Sequence, residues 1–150
     1  MKELVGNMFD MCADAYCITT NGIVRENGTA VMGAGVALAA NKKFRGCEEF
    51  LGRHISTQGH NVGVFYTFSN ERFRKDIDII SFPTKYNWKL LACLPLILLS
   101  AQQLMELINV NDYKTVLLPR PGCANGGLIW EDVKLVIEPI LDDRVTVVSL

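Results

Sequence analysis

Along this chain the apolar residues keep changing period. Lys2–Val5 and Ala15–Thr20 read as short strands, and Val62–Phe68 alternates apolar with small residues as a strand does. Ile77–Phe82 is a second β-rich run, which Pro83 ends, and Arg72, Arg74 and Lys75 fall in the connection before it. Thr115–Leu118 and Val145–Ser149 complete the strands. Between them the spacing becomes helical. Ala34–Lys43 carries the small apolar residues of a helix, and Glu48–Thr57 offers Phe50, Leu51 and Ile55 as core contacts. Leu94, Ile97, Leu98, Ala101, Leu104, Met105 and Ile108 recur on one helical face. The most apolar run, Leu90 to Leu99, reads as the start of that buried helix; it is too short to span a bilayer and contains Pro95. Trp130–Leu141 predicts a last helix, with Pro139 ending it early.

Strands alternate with helices along the whole chain, which predicts an α/β fold with helices on both faces of a sheet. There is no repeat, low-complexity segment or linker, so residues 1–150 read as one domain, long enough to build a core without disulfides or metal. In such sheets ligands sit beyond the carboxyl ends of strands, where loops lead into helices. Two loops of that kind are rich in glycine.

Composition narrows the function classes. The net charge is −1, so a long basic surface that grips DNA by its phosphates is not expected, whereas contact with a single modified nucleotide is compatible. Five cysteines without a CxxC pair read as free thiols in a reducing cytoplasm. Cys12 and Cys17 with His54 or His60 lack zinc-ligand spacing, so no metal is expected. The opening MKELVGNMFD has no apolar core of the length a signal peptide needs, and no membrane association is expected.

The first glycine loop ends Val31-Met32-Gly33-Ala34-Gly35-Val36-Ala37. Its glycines let the backbone approach a ligand, and the helix it opens offers unpaired N–H groups and a positive dipole end, which suits phosphate. The second loop, Pro119-Arg120-Pro121-Gly122-Cys123-Ala124-Asn125-Gly126-Gly127, also follows a strand and precedes a helix. Neither loop is a Walker sequence, and neither shows full Rossmann spacing. Together they suggest a diphosphate held by backbone amides.

Asn21, MGAGVALAANKKF, SFPTKYNW and PRPGCANGGLIWEDV, in that order and spanning almost the whole chain, resemble the macro domain family. The likeness is to the branch of DNA ADP-ribosyl glycohydrolase antitoxins and terminal ADP-ribose protein glycohydrolases, whose small stand-alone members occur in bacteriophages. The resemblance implies a three-layer α/β/α domain with a mixed central sheet and a cleft for ADP-ribose. Met32, Gly33, Ala34, Gly35 and Val36 would lie near the distal ribose and diphosphate, with Asn21 beside the ribose. Pro121, Gly122, Cys123, Ala124, Asn125 and Gly126 would close over the diphosphate from the other side. Thr84 would join the cleft beside Lys85, which the resemblance makes the catalytic residue. An amine can attack the anomeric carbon of an opened ribose as amines attack carbonyls, and partial burial by Tyr86 and Trp88 would favour its neutral form. Alternatively Lys85 stays charged and positions the target.

Two departures stand out. The protein-directed enzymes of this branch carry an aspartate in the second loop where this chain has Gly126, which tilts the substrate toward ADP-ribosylated DNA, thymidine above all, and away from acidic protein side chains. Many macro domains also place an aspartate after the first-strand glycine to take the adenine amino group, where this chain has Asn7, a neutral acceptor. Glu131 and Asp132 complement a helix dipole; Trp130, His54 and His60 read as structural; Arg120 meets phosphate or solvent; Cys123 has no visible histidine partner. The resemblance thus implies an ADP-ribosyl glycohydrolase without cofactor, acting as a monomer in a bacterial or phage-infected cytoplasm. A non-catalytic ADP-ribose-binding module and an ADP-ribose 1″-phosphate phosphatase are the alternatives.

Overall fold

The computed structural model describes residues 1–150. Six strands form one sheet: β1 (Lys2–Val5), β2 (Ala15–Thr20), β3 (Gly63–Asn70), β4 (Lys75–Pro83), β5 (Val116–Pro119) and β6 (Val145–Ser149). Four helices accompany it, α1 (Gly35–Lys43), α2 (Cys47–Gln58), α3 (Leu94–Asn111) and α4 (Trp130–Ile137), with a short 3-10 turn at Met8–Asp10. The strand order is β1-β6-β5-β2-β4-β3, all neighbours parallel except the β3–β4 hairpin, so the sheet is mixed as expected.

Strand parity sorts the core into two layers. Cys17, Ile80, Phe82, Leu118 and Val147 face α3 and α4, whereas Tyr16, Ile18, Ile79, Leu117 and Val148 face α1 and α2. Both faces are covered, which is why β2 and β4 read as nearly continuous apolar runs. Burying a side chain such as Ile79 contributes roughly 1.5–3 kcal/mol.

Where the structure departs from the sequence reading, hydrogen bonds explain it. Leu90–Cys93 is not helical: the Ala92 N–H donates to the Gly126 carbonyl and the Cys93 N–H to Thr84, so this segment is tied to other loops and leaves Leu90 and Leu91 exposed. The helix begins at Leu94, with Pro95 in its first turn, where a missing N–H leaves no bond unmade. The β3–β4 hairpin is longer than its pattern suggested; Lys75 already belongs to β4, and its ammonium meets the Asp14 carboxylate. The 3-10 turn after β1 was not anticipated; the Asn7 side chain caps it by accepting the Phe9 N–H at 3.0 Å.

Candidate functional site

Because five strands point the same way, their carboxyl ends share one edge of the sheet, and a cleft of about 1200 Å³ lies along it. Its walls come from the residues following β1, β2, β4, β5 and β6; β3, running backward, contributes nothing. Of the residues singled out in the sequence, Asn7, Asn21, Gly33–Val36, Thr84, Lys85 and Gly122–Gly126 all line this cleft. Met32 and Pro121 do not. Met32 is 2% exposed and packs into the core on the α1–α2 side, and Pro121 is buried behind its loop. Phe9, Trp88, Arg120 and Trp130 also line it. Trp88, Arg120 and Trp130 lie within the motifs but were not singled out as cleft residues, and no motif marks Phe9; the strand order brings all four together.

The loop after β2 is braced from within. The Asn21 amide donates to the Val31 carbonyl at 3.1 Å and accepts the Ile23 N–H at 3.0 Å. Asn21 therefore sets the loop's shape as well as facing the cleft. The loop delivers Ala34 in an extended conformation at the N-terminus of α1, where no side chain caps the first N–H groups. Those donors face the cleft with the positive end of the helix dipole. Gly35 has φ +57°, a conformation that disfavours a side chain.

The loop after β5 folds back on itself. The Gly122 carbonyl accepts the Leu128 N–H at 2.9 Å, and the Gly126 carbonyl accepts the Ala92 N–H at 3.0 Å. A Cβ at Gly126 would overlap the Gly122 carbonyl oxygen and stand 2.8 Å from Ala92. A side chain at Gly126, the aspartate expected of the protein-directed enzymes included, has no room here. The two loops meet at one point: the Asn125 side-chain nitrogen lies 3.3 Å from where a Gly35 Cβ would be.

Lys85 joins both. Its Nζ donates to the Asn125 carbonyl at 3.1 Å, while its own carbonyl accepts from His60 Nε2 at 2.7 Å. The His60 ring packs on Gly22, at the root of the first loop, where an added Cβ would approach it to 2.8 Å. His60 Nδ1 is buried without a partner. Burial pushes the His60 pKa down, against the pull of its bond to the Lys85 carbonyl. A neutral ring with its proton on Nε2 satisfies both observations. Sequence reasoning missed this brace because its two ends are 25 residues apart. Tyr86 and Trp88, expected to bury Lys85 in part, are themselves 59% and 53% exposed, and Tyr86 meets the His60 ring edge-on.

No aspartate or glutamate side chain lines the cleft, and its charged side chains are Lys85 and Arg120. Arg120 stacks on the Trp130 ring at 5.0 Å, and Glu3 takes the Trp130 indole N–H at 3.1 Å from behind. Glu131 and Asp132 sit in the first turn of α4, outside the cleft. Burial raises the Cys123 thiol pKa, which keeps it protonated and a poor nucleophile. No three His, Cys, Asp or Glu side chains gather as a metal site. The chemistry available is two cations, backbone amides and neutral polar groups, a lining that suits an anion, with one amine in reach.

No family model matches the chain. A DNA ADP-ribosyl glycohydrolase of Thermus aquaticus is 25% identical over 142 residues, covering 95% of this chain and 38% of that protein. The chain thus spans well under half the length of this curated relative. The solved macrodomain of Thermus aquaticus DarG superposes with a TM-score of 0.80 at 24% identity, covering 99% of this chain and 97% of that one. Thermosipho africanus DarTG in complex with ADP-ribose superposes at 0.79 with 21% identity, covering 99% of this chain and 42% of that one.

Proposed function

Since this chain has the macro-domain fold, we propose that it binds ADP-ribose in the cleft and hydrolyses the bond joining the distal ribose to a DNA base, with Lys85 as the catalytic residue. The observation that carries the proposal is the convergence of Lys85, Asn125 and the α1 N-terminus on one stretch of a cleft without aspartate or glutamate side chains. The first-turn amides of α1 and the Gly122–Gly126 loop hold the diphosphate from its two sides, and Arg120 adds charge. Asn7 receives the adenine amino group on the side-chain oxygen that already caps the 3-10 turn, since a carbonyl oxygen accepts two bonds. At the other end the Lys85 amine, as the free base, attacks C1″ of the ring-opened ribose. The base leaves with a proton, and water then hydrolyses the C=N bond to free ADP-ribose and the amine. A facing carboxylate pair of the ordinary glycosidase type has no members here.

DNA is favoured over acidic protein side chains because Gly126 excludes the aspartate of the protein-directed branch. One chain builds the whole cleft, so a monomer suffices, and five unpaired thiols suit a reducing cytoplasm, bacterial or phage-infected. No helix is long and apolar enough to cross a membrane. The missing acidic side chains also support a second reading, a module that holds ADP-ribose without turnover. Incubation with ADP-ribosylated oligonucleotide and, separately, ADP-ribosylated protein decides between them. The expected result is release from the oligonucleotide, reduced by about 100-fold or more in Lys85→Ala, with ADP-ribose affinity largely kept by calorimetry. Full activity in that variant would remove Lys85 from the mechanism; binding without release from either substrate would establish the module.

A further inference from the structure

We infer that the rim Tyr86–Leu91, beside Lys85, is a stacking platform for the single-stranded DNA that flanks the modified nucleotide. The inference rests on the DNA-directed reading above. Tyr86, Trp88, Leu90 and Leu91 are each more than half exposed, four large side chains within six residues. Elsewhere only one aromatic ring, Phe50, is comparably open. A soluble surface that presents two aromatic rings beside a reactive site marks a contact.

The exposure is built in, not a product of slack backbone. The Asn87 side chain accepts the Lys89 N–H at 3.0 Å, its carbonyl accepts the Leu90 N–H at 3.1 Å, and Ala92 and Cys93 are tied to Gly126 and Thr84. Trp88 shares the wall of the cleft with Lys85. A base extending from the distal ribose therefore emerges next to it.

Charge identifies the occupant. From Ile79 to Met105 the chain has no acidic residue, and its two cations are Lys85 and Lys89. The Lys89 ammonium covers the Trp88 ring at 5.3 Å, and a stacked base displaces it toward a neighbouring phosphate. Exposed rings with few cations suit a short single strand, whose bases each offer a π-face. A net charge of −1 argues against a longer duplex footprint.

The chain has two tryptophans, Trp88 and Trp130, and Trp130 is 9% exposed, so quenching of intrinsic fluorescence by a base stacking from solvent reports mainly on Trp88. Titration with unmodified oligothymidylate is expected to quench emission, and the quench to vanish in Trp88→Phe. With Lys89 engaged, the affinity should fall with salt at a log–log slope of about −0.7. In turnover, Trp88→Ala and Tyr86→Ala should each lose about 10-fold more on an ADP-ribosylated oligonucleotide than on ADP-ribosylated thymidine alone, with Trp88→Phe restoring most of it. Equal loss on both substrates, or no quench at millimolar oligothymidylate, overturns the platform. Quenching by an ADP-ribosylated peptide but not by oligothymidylate overturns it too and assigns the rim to protein. If quenching occurs but no substrate is cleaved, the platform stands and the hydrolase reading fails; if cleavage occurs without quenching, the reverse holds.

Discussion

The loop after β2 and the loop after β5 both reach the cleft with pairs of glycines, yet a side chain added to each meets different surroundings. At Gly33 nothing lies within 4 Å, so an added side chain would project into open space on the cleft wall. At Gly122 and Gly126 the same addition strikes Ala92, Ile97 and Leu128 or the loop's own backbone. The first loop is packed at its root, where Gly22 lies against His60, and open at Gly33; the second is packed at each of its glycines, Gly122, Gly126 and Gly127. Glycine in one leaves the cleft wall open, as the proposed diphosphate contact requires, and in the other serves the protein's own closure. A shared sequence signature therefore hides two physical requirements, and their substitutions should part company.

The largest effect is expected at Gly126→Asp, which forces a charged side chain into the Gly122 carbonyl and Ala92. Equilibrium unfolding should show a loss of about 3 kcal/mol or more. An aspartate that folds normally and speeds release would mean the loop can rearrange to the form of the protein-directed enzymes. Gly122→Ala combines φ +76° with contacts at 2.9 Å to Ala92 and Ile97, and about 2 kcal/mol should be lost by the same measurement.

His60 tests the root of the first loop. Its folded pKa is depressed from 6.5, so below pH 6.5 the unfolded chain takes up a proton that the folded one refuses. Stability should fall as pH drops from 6.5 to the folded pKa, by at most about 1.4 kcal/mol per pH unit, and then level off. A His60→Gln protein keeps a donor for the Lys85 carbonyl and should lack this slope; an unchanged slope would place the titration elsewhere. The smallest stability effect, within about 0.5 kcal/mol, is expected for Gly33→Ala. Its ADP-ribose affinity should nevertheless drop about 10-fold by calorimetry, worth roughly 1.4 kcal/mol. Unaltered affinity would show that the ligand never approaches that backbone.

Much of this was legible in the sequence where the signal is local. β2 and β6 fall where their apolar runs place them, and Pro139 does end α4 early. Lys85, Asn21 and the glycine loops were marked by motifs, and the parallel strands bring them together. What was not legible depends on partners far along the chain. Leu90–Cys93 has helical composition, but its N–H groups are taken by Thr84 and Gly126. Met32 sits in a motif that faces the cleft, yet its own side chain turns into the core. The brace from His60 to Lys85 and the position of Trp130 against Glu3 follow from topology alone.

The reversed strand has a practical meaning. The turn Glu71–Arg74 joins β3 to β4 at the edge of the sheet opposite the cleft. A fluorophore, biotin or inserted tag placed there would leave the mouth of the cleft unobstructed, so the protein could be tethered to a sensor surface with its substrate-facing side turned outward.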